Sequence, residues 1–405
     1  MVHTSPRRES LFTRDFMLIC SATLLFYVSL HLLLPTLPVY VLSLGGAESD
    51  LGLVTSMFAF ASVFARPIAG KLADDGHKKG LMIAASVVFL VSTFLYCALP
   101  YIRAVIGVRA LQGLGLGFYS TGASSLVADS VPEGRRGEAL GHFMMAPSLA
   151  MALGPALGLF VSERFSYSAL FMVSGVLAAL VLMGTVFIGT HSQSGTEAAR
   201  RGRPSSHRAL SYSSAGARGS FINTKVVFPS IIIALGAATY GAIASFLAVY
   251  ARSRAIENSG FFFTTFAMSM FITRSVAGGL SDRRGRAAVI APGLLLVSMG
   301  MAMLGLASTR SSFFAAAAVF GTGFAVMQPT LVALTVDHVR ADQRGVSLAI
   351  LLAMYDVGVA LGGLAGGEIA ERLSLASVYV AMSGVGLAAF VIFVIGYGRY
   401  CRHPS

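Results

Sequence analysis

Apolar residues run through this chain in long blocks, separated by short charged turns. Twelve blocks reach the roughly 20 residues that a membrane-crossing helix needs: 16–42, 51–72, 80–101, 104–129, 138–162, 167–190, 226–250, 259–280, 287–307, 312–336, 345–367 and 374–398. None alternates with the two-residue period of a membrane β-strand. Lipid offers no partner to an open sheet edge, so the pattern predicts helices. One stretch departs from it. Residues 191–220 are polar, rich in Ser and Arg and without an apolar period, and read as a linker. The expected fold class is an all-α membrane protein, with twelve transmembrane helices in two pseudo-symmetric six-helix bundles.

Composition agrees with that pattern. Of 405 residues 55% are apolar and only 12% charged, with 44 glycines and no tryptophan. A soluble domain carries about twice that charge, so the bilayer is an expected partner. The net charge of +12 would suit a nucleic-acid binder, but the basic residues sit in turns and not in one patch, so nucleic acid is not an expected partner. With the N-terminus placed inside, twenty-one Lys and Arg fall on the inner side and six on the outer; Arg66, Arg109 and Arg274 lie within spans. This bias predicts a multi-pass inner (plasma) membrane protein with both termini and the linker cytoplasmic. The expected units are a cytoplasmic N-terminus at 1–15, a bundle at 16–190, a linker at 191–225, a bundle at 226–398 and a tail at 399–405. The first apolar run is too long for a signal-peptide core and is expected to be retained. Cys20, Cys97 and Cys401 form no visible disulfide framework.

The chain is duplicated at a fixed offset of 208 residues. Arg66, Ala69, Gly70, Leu72 and Asp74 recur as Arg274, Ala277, Gly278, Leu280 and Asp282. Asp129, Arg136 and Gly137 recur as Asp337, Arg344 and Gly345, and Gly154 and Gly158 as Gly362 and Gly366. Both halves start on the same side, so they are parallel repeats, related by an axis along the membrane normal.

These residues carry a family resemblance. Gly278, Leu280, Asp282, Arg283, Gly285 and Arg286 match the G-x-L-x-D-R-x-G-R turn between the second and third spans of a half in the major facilitator superfamily. The first copy departs from it, with Asp75 in place of Arg and Gly76 followed by His77, Lys78 and Lys79. On the fourth span Arg109, Gln112, Gly113, Gly115 and Gly117 are similar to the R-x-x-Q-G-x-G pattern of the drug:proton antiporter branch. On the fifth, Gly154, Pro155 and Gly158 resemble its G-x-x-x-G-P-x-x-G-G pattern, with Ala150 and Leu159 in place of two of the glycines. The resemblance implies a gating role for Arg66, Gly70, Asp74, Lys78, Asp129, Arg274, Gly278, Asp282, Arg283, Gly285, Arg286 and Asp337. In it Asp74 reaches the N-terminus of the eleventh helix, and Asp282 that of the fifth. The basic residues that follow are expected to pair with Asp129 and Asp337.

Charges inside spans are expensive and mark function by default. Asp356 falls mid-way along the eleventh span, His31 deep in the first, and Arg109 within the fourth. None has a like residue 208 positions away: position 148 is Ser and position 317 is Ala. Asp356, His31 and Arg109 are therefore the candidates for proton coupling. Arg66 and Arg274 are a symmetric pair and read as scaffold or gate. Candidate cavity residues are His31, Tyr27, Arg109, Gln112, Tyr119, Tyr240, Gln328 and Asp356, with Phe26 and Phe246 as further aromatics. Gln328-Pro329 is expected to interrupt the tenth helix, as at mid-membrane sites. The stripe of Ala146, Ala150, Gly154 and Gly158 reads as a flexible gate or as close packing.

The expected function is proton-coupled secondary transport by a monomer, exporting a small amphipathic molecule: a drug-like compound, or a secreted metabolite such as an amino-acid-derived metal chelator. The alternatives are a proton-coupled importer of a sugar or organic acid, and a sensor or assembly factor without flux. An enzyme is not expected: no phosphate-binding loop, metal cluster or nucleophile elbow is present, and neither a cofactor nor a metal is called for.

Overall fold

The computed structural model of the protein describes residues 13–131, 135–189, 224–340 and 343–402. The expected linker lies outside them up to residue 223, as do residues 1–12 and 403–405 of the expected termini. Fourteen helices make up the described chain: α1 Arg14–Leu33, α2 Thr36–Ser43, α3 Glu48–Asp74, α4 Lys78–Ala98, α5 Ile102–Asp129, α6 Arg136–Phe143, α7 Met145–Arg164, α8 Tyr167–Val186, α9 Thr224–Ser253, α10 Phe261–Arg284, α11 Ala287–Gly305, α12 Arg310–His338, α13 Arg344–Arg372 and α14 Leu375–Arg402. Taken together, α1 with α2 and α6 with α7 each form one span, which gives twelve.

The two interrupted spans differ from expectation. Pro35 lacks the amide that would bond back to His31, and the His31 carbonyl instead accepts from Leu34 at 3.3 Å. The Thr36 hydroxyl then donates to the Leu32 carbonyl at 2.9 Å, and α2 restarts. The second interruption is a turn at Met144. By contrast, Pro329 lies inside an unbroken α12, so the expected break at Gln328-Pro329 is not made. Membrane helices absorb a proline where neighbouring helices satisfy the freed carbonyl.

Ten spans are long and apolar enough to cross a membrane by length and composition. The remaining two are α5 and α10, the helices that carry Arg109 and Arg274. Their polar and small residues suit the inside of a bundle better than lipid.

Each half uses the same helix pairings. The contacts α1–α7, α3–α5, α4–α5, α4–α8 and α1–α8 recur as α9–α13, α10–α12, α11–α12, α11–α14 and α9–α14. Small residues set the closest of them. A Cβ added at Gly158 would stand 2.1 Å from the Leu32 carbonyl oxygen, and one at Gly362 2.0 Å from that of Ala238. The small stripe of α7 is thus pressed on α1, and that of α13 on α9. The halves meet along α3–α13 and α7–α10, two contacts that exchange under the pseudo-symmetry.

One face of the bundle holds the start of α1, the end of α14 and the two charged turns; it is called the basic face here. There the chain leaves α3 through Gly76 (φ 91°) and α10 through Gly285 (φ 87°), a backbone region that glycine enters without a Cβ penalty. Lys78 pairs with Asp129, and Arg286 with Asp337 at 2.9 Å. Lys79 donates to the carbonyls of Val186 and Ile188 at the end of α8, where a cation meets the negative end of the helix.

Candidate functional site

The halves are joined most closely on the side away from the basic face. A Cβ at Gly52 would stand 2.2 Å from the Gly363 carbonyl oxygen, and one at Gly367 3.0 Å from Ser49. Ser56 donates to the Ala360 carbonyl at 2.6 Å, and Thr264 to that of Ala152 at 3.4 Å. At the rim Arg252 stands 3.9 Å from Glu163. A shallow depression of about 480 Å³ lies beside that pair and holds none of the mid-membrane residues.

Going towards the basic face, this series of contacts ends on two arginines. Arg66 on α3 and Asp356 on α13 form an ion pair across the halves at 2.7 Å, with side-chain exposures of 25% and 12%. Ser62, one helical turn before Arg66, donates to the same carboxylate at 3.4 Å. Asp356 is twelve residues from the start of α13 and sixteen from its end, about 18 and 24 Å along the axis. The pair therefore sits at mid-membrane depth. The pseudo-symmetric station is Arg274 on α10. It donates from Nη1 to the Ser148 hydroxyl of α7 at 3.3 Å and from Nε to the Ala325 carbonyl at 3.4 Å. Both arginines are half-buried.

Tyr27 lies within electrostatic range of Arg66 and Asp356, and Tyr355 within range of Asp356 and Arg274. Tyr27 also stacks on His31, with ring centroids 6.1 Å apart. His31 faces α7, where a Cβ at Gly154 would stand 2.6 Å from its own, and its Nδ1 is buried without a partner. Tyr27, His31, Arg66, Asp356, Tyr355 and Arg274 thus form a belt across both halves.

Other expected site residues lie elsewhere. Arg109 and Gln112 are fully buried in the first half. The Arg109 guanidinium packs 4.3 Å over the Phe58 ring and donates to Gln112 Oε1 at 3.2 Å, which also accepts from Tyr96 at 2.9 Å. Its Nε and Nη2 have no partner. No hydrogen bond joins Arg109, His31 and Asp356, although Arg109 lies within electrostatic range of His31. Tyr119 is core: it stacks on Phe26 at 3.8 Å. Tyr240 packs between Phe266 and Phe324, Phe246 is fully buried, and Gln328 is half-buried on α12. Periodicity could not separate these faces, because α5 and α12 are enclosed on most sides.

In the charged turns, Asp74 is exposed and makes no hydrogen bond or ion pair among the described residues, so the expected contact with the start of α13 is not made. The Asp282 side chain lies outside the described residues. The Lys78–Asp129 and Arg286–Asp337 pairs each stay inside one half, so they brace the turns without tying the halves together. Residues that the sequence did not single out as site members are Ser62, Ser148 and Tyr355. The signal for Ser148 was present, as the residue found where a second Asp356 would stand. Among the described residues no group of three His, Cys, Asp or Glu could hold a metal ion.

Known proteins match this chain along nearly its full length. It is 25% identical over 390 residues to a multi-drug resistance efflux pump PmrA homolog of Lactococcus lactis, covering 93% of each chain. It is 24% identical over 379 residues to the quinolone resistance protein NorA of Staphylococcus aureus, covering 92% of this chain and 93% of that one. Among solved structures, the nucleoside transporter NupG superposes with a TM-score of 0.73 at 15% identity over 95% of this chain and 99% of its own. A POT family transporter in complex with a thioalcohol-conjugated peptide gives 0.76 at 12% identity over 96% of each. At such identities the structures speak for the fold alone. The family description "Major Facilitator Superfamily" matches residues 19–339 and 255–400. With a duplicated twelve-span bundle, charged turns at Gly76 and Gly285 and a mid-membrane seam between halves, this chain belongs to the Major Facilitator Superfamily and is a membrane transporter, not an enzyme.

Proposed function

We propose that the protein is a proton-coupled exporter of small amphipathic molecules, working by alternating access between the two halves. The observation that carries this reading is the Arg66–Asp356 pair, an ion pair at mid-membrane depth that joins one half to the other. While Asp356 is ionised, the pair holds α3 against α13. Protonation removes the charge, frees Arg66 and loosens the seam at that depth. A carboxyl whose surroundings alternate between a cation and an apolar wall takes up a proton in one state and releases it in the other. The relatives named as a multi-drug efflux pump and a quinolone resistance protein support export of drug-like substrates. In this reading the basic face is cytoplasmic, as the Lys and Arg bias expects, and the described state faces the cytoplasm in the plasma membrane.

The test uses purified protein in proteoliposomes, with a fluoroquinolone as the probe and an imposed pH gradient. Wild type is expected to move the probe against its gradient when protons flow the other way. Asp356→Asn keeps the shape and removes the titrating group, and is expected to abolish the pH-driven component while facilitated exchange persists. Unchanged pH-driven flux in that variant would sink the proton-carrier role. No flux in the wild type would sink the export reading for this probe.

A further inference from the structure

Arg66 and Arg274 occupy equivalent positions on equivalent helices, yet only Arg66 has a carboxylate. Position 356 is Asp and position 148, its counterpart, is Ser. We propose that Arg274 is an anion subsite: its guanidinium receives the carboxylate of an amphipathic ligand where Arg66 receives Asp356. This rests on the transport reading above and names the head-group chemistry of the substrate.

Three observations carry it. First, Arg274 is under-satisfied. A guanidinium has five N–H donors, and those of Arg274 make two long bonds to neutral oxygens, Ser148 Oγ at 3.3 Å and the Ala325 carbonyl at 3.4 Å. No carboxylate pairs with it among the described residues, and Asp356 is engaged by Arg66. A cation held at this depth without a counter-charge is costly, and an arriving anion removes that cost. Second, the seat has the right polarity. The Ser148 hydroxyl donates to the Met144 carbonyl at 3.0 Å, so its lone pairs and not its proton face Arg274. The guanidinium fork is matched to a two-oxygen acceptor. Tyr355, in electrostatic range of Arg274, borders the seat on α13 and lies 6.4 Å from the Phe324 ring, which gives an aromatic wall for an apolar body. Third, the backbone one turn from Arg274 is more open than that one turn from Arg66. Gly278 lies one turn from Arg274 on the same face of α10, towards the basic face; it is exposed, and a Cβ there would meet nothing within 4 Å. Its counterpart Gly70, one turn from Arg66, is buried.

The same chemistry would accept the phosphate of an anionic lipid head-group, so the test separates the two sources. Purified full-length protein is melted with 1-naphthoate, 1-naphthamide or 1-naphthylmethylamine, which share a ring system and differ in head-group charge. A ligand that binds the folded state raises the melting temperature. Naphthoate is expected to bind about tenfold more tightly than the amide, as one charge-assisted hydrogen-bonded pair allows. Ser148→Asp supplies the missing carboxylate from the protein itself and is expected to erase that preference while leaving the amide response in place. Arg274→Gln is expected to do the same, and either variant suffices if the other fails to fold. Phosphatidylglycerol in place of naphthoate, with phosphatidylcholine as control, gives the same Ser148→Asp-sensitive shift if the native anion is a lipid. Equal binding of carboxylate and amide by wild type, or a preference that survives Ser148→Asp, overturns the subsite. Fluoroquinolone flux measured in parallel keeps the two readings apart. Absent wild-type flux with an intact carboxylate preference defeats the export reading alone; normal flux without that preference defeats the subsite alone.

Discussion

Arg66 and Arg274 are copies of one residue, 208 positions apart, and each reaches from its own half towards the other. Arg66 meets a carboxylate at 2.7 Å. Arg274 meets a serine at 3.3 Å and a carbonyl at 3.4 Å. Duplication built two equivalent arginines, and the difference between Ser148 and Asp356, with Ser62 standing where the other half has Met270, made one a closed ion pair and left the other without a counter-charge. The shared residues set the geometry and the unshared ones decide what each station does. The sharpest way to test that contrast is to strand each arginine in turn.

The largest effect is expected at the paired station. Asp356→Ala leaves Arg66 as an uncompensated charge and should cost about 3 kcal/mol of stability, at the low end for a buried pair because a quarter of the Arg66 side chain is exposed. Arg66→Ala should cost less, since the carboxyl left behind can take up a proton and become neutral. Arg274→Ala removes a charge that has no carboxylate partner among the described residues and only two long hydrogen bonds, and should be neutral or mildly stabilising without ligand. Unfolding in a denaturing detergent, followed by the loss of helical circular dichroism, ranks the three. Equal costs at positions 66 and 274 would mean that the two stations are not distinct.

Much of this was legible in the sequence, and the boundary has a physical cause. Lipid forces each span to be a continuous apolar block, so the twelve spans and the repeat could be read directly. The turn pairs were legible because Lys78 and Asp129, like Arg286 and Asp337, sit at the ends of neighbouring helices on one face. The Arg66–Asp356 pair was not, although both residues had been singled out. The repeat relates Arg66 to Arg274 and position 148 to Asp356; it says nothing about which helix of one half lies against which helix of the other. Treating shared and unshared charges as separate classes divided residues that the fold brings within 2.7 Å. Arg109, Gln112 and Tyr119 were hard to assign for a different reason: α5 is buried on opposite faces, so no period marks which face borders a cavity.

A second pair of substitutions asks whether the asymmetry is confined to the stations. Gly158→Ala and Gly362→Ala place a methyl 2.1 and 2.0 Å from a carbonyl oxygen of the helix packed against each. Overpacking of this kind costs about 1–3 kcal/mol. The two halves pack alike here, so the melting temperatures of the two variants should fall by similar amounts. A large drop in one alone would show that the halves differ in packing as well as in charge.

The smallest stability effect, and the most informative about motion, is expected at the far rim. Arg252 and Glu163 are 3.9 Å apart and both well exposed, at 45% and 40%, so Glu163→Gln should cost no more than about 1 kcal/mol. Its counterpart across the pseudo-symmetry would join positions 44 and 371, which are Leu44 and Glu371. No ion pair can form there, and that side closes instead by backbone approach, with a Cβ at Gly52 only 2.2 Å from the Gly363 carbonyl. The seam therefore has one electrostatic edge and one steric edge. Glu163→Gln should shift the balance towards rim-open states slightly, and less so at high salt, where the wild-type pair is already screened. Gly52→Val should open the rim strongly and independently of salt. Spin labels placed on either side of the rim report both through their distance distributions. A salt-dependent opening in Gly52→Val, or none in Glu163→Gln at low salt, would mean that the rim closes by some contact other than these two.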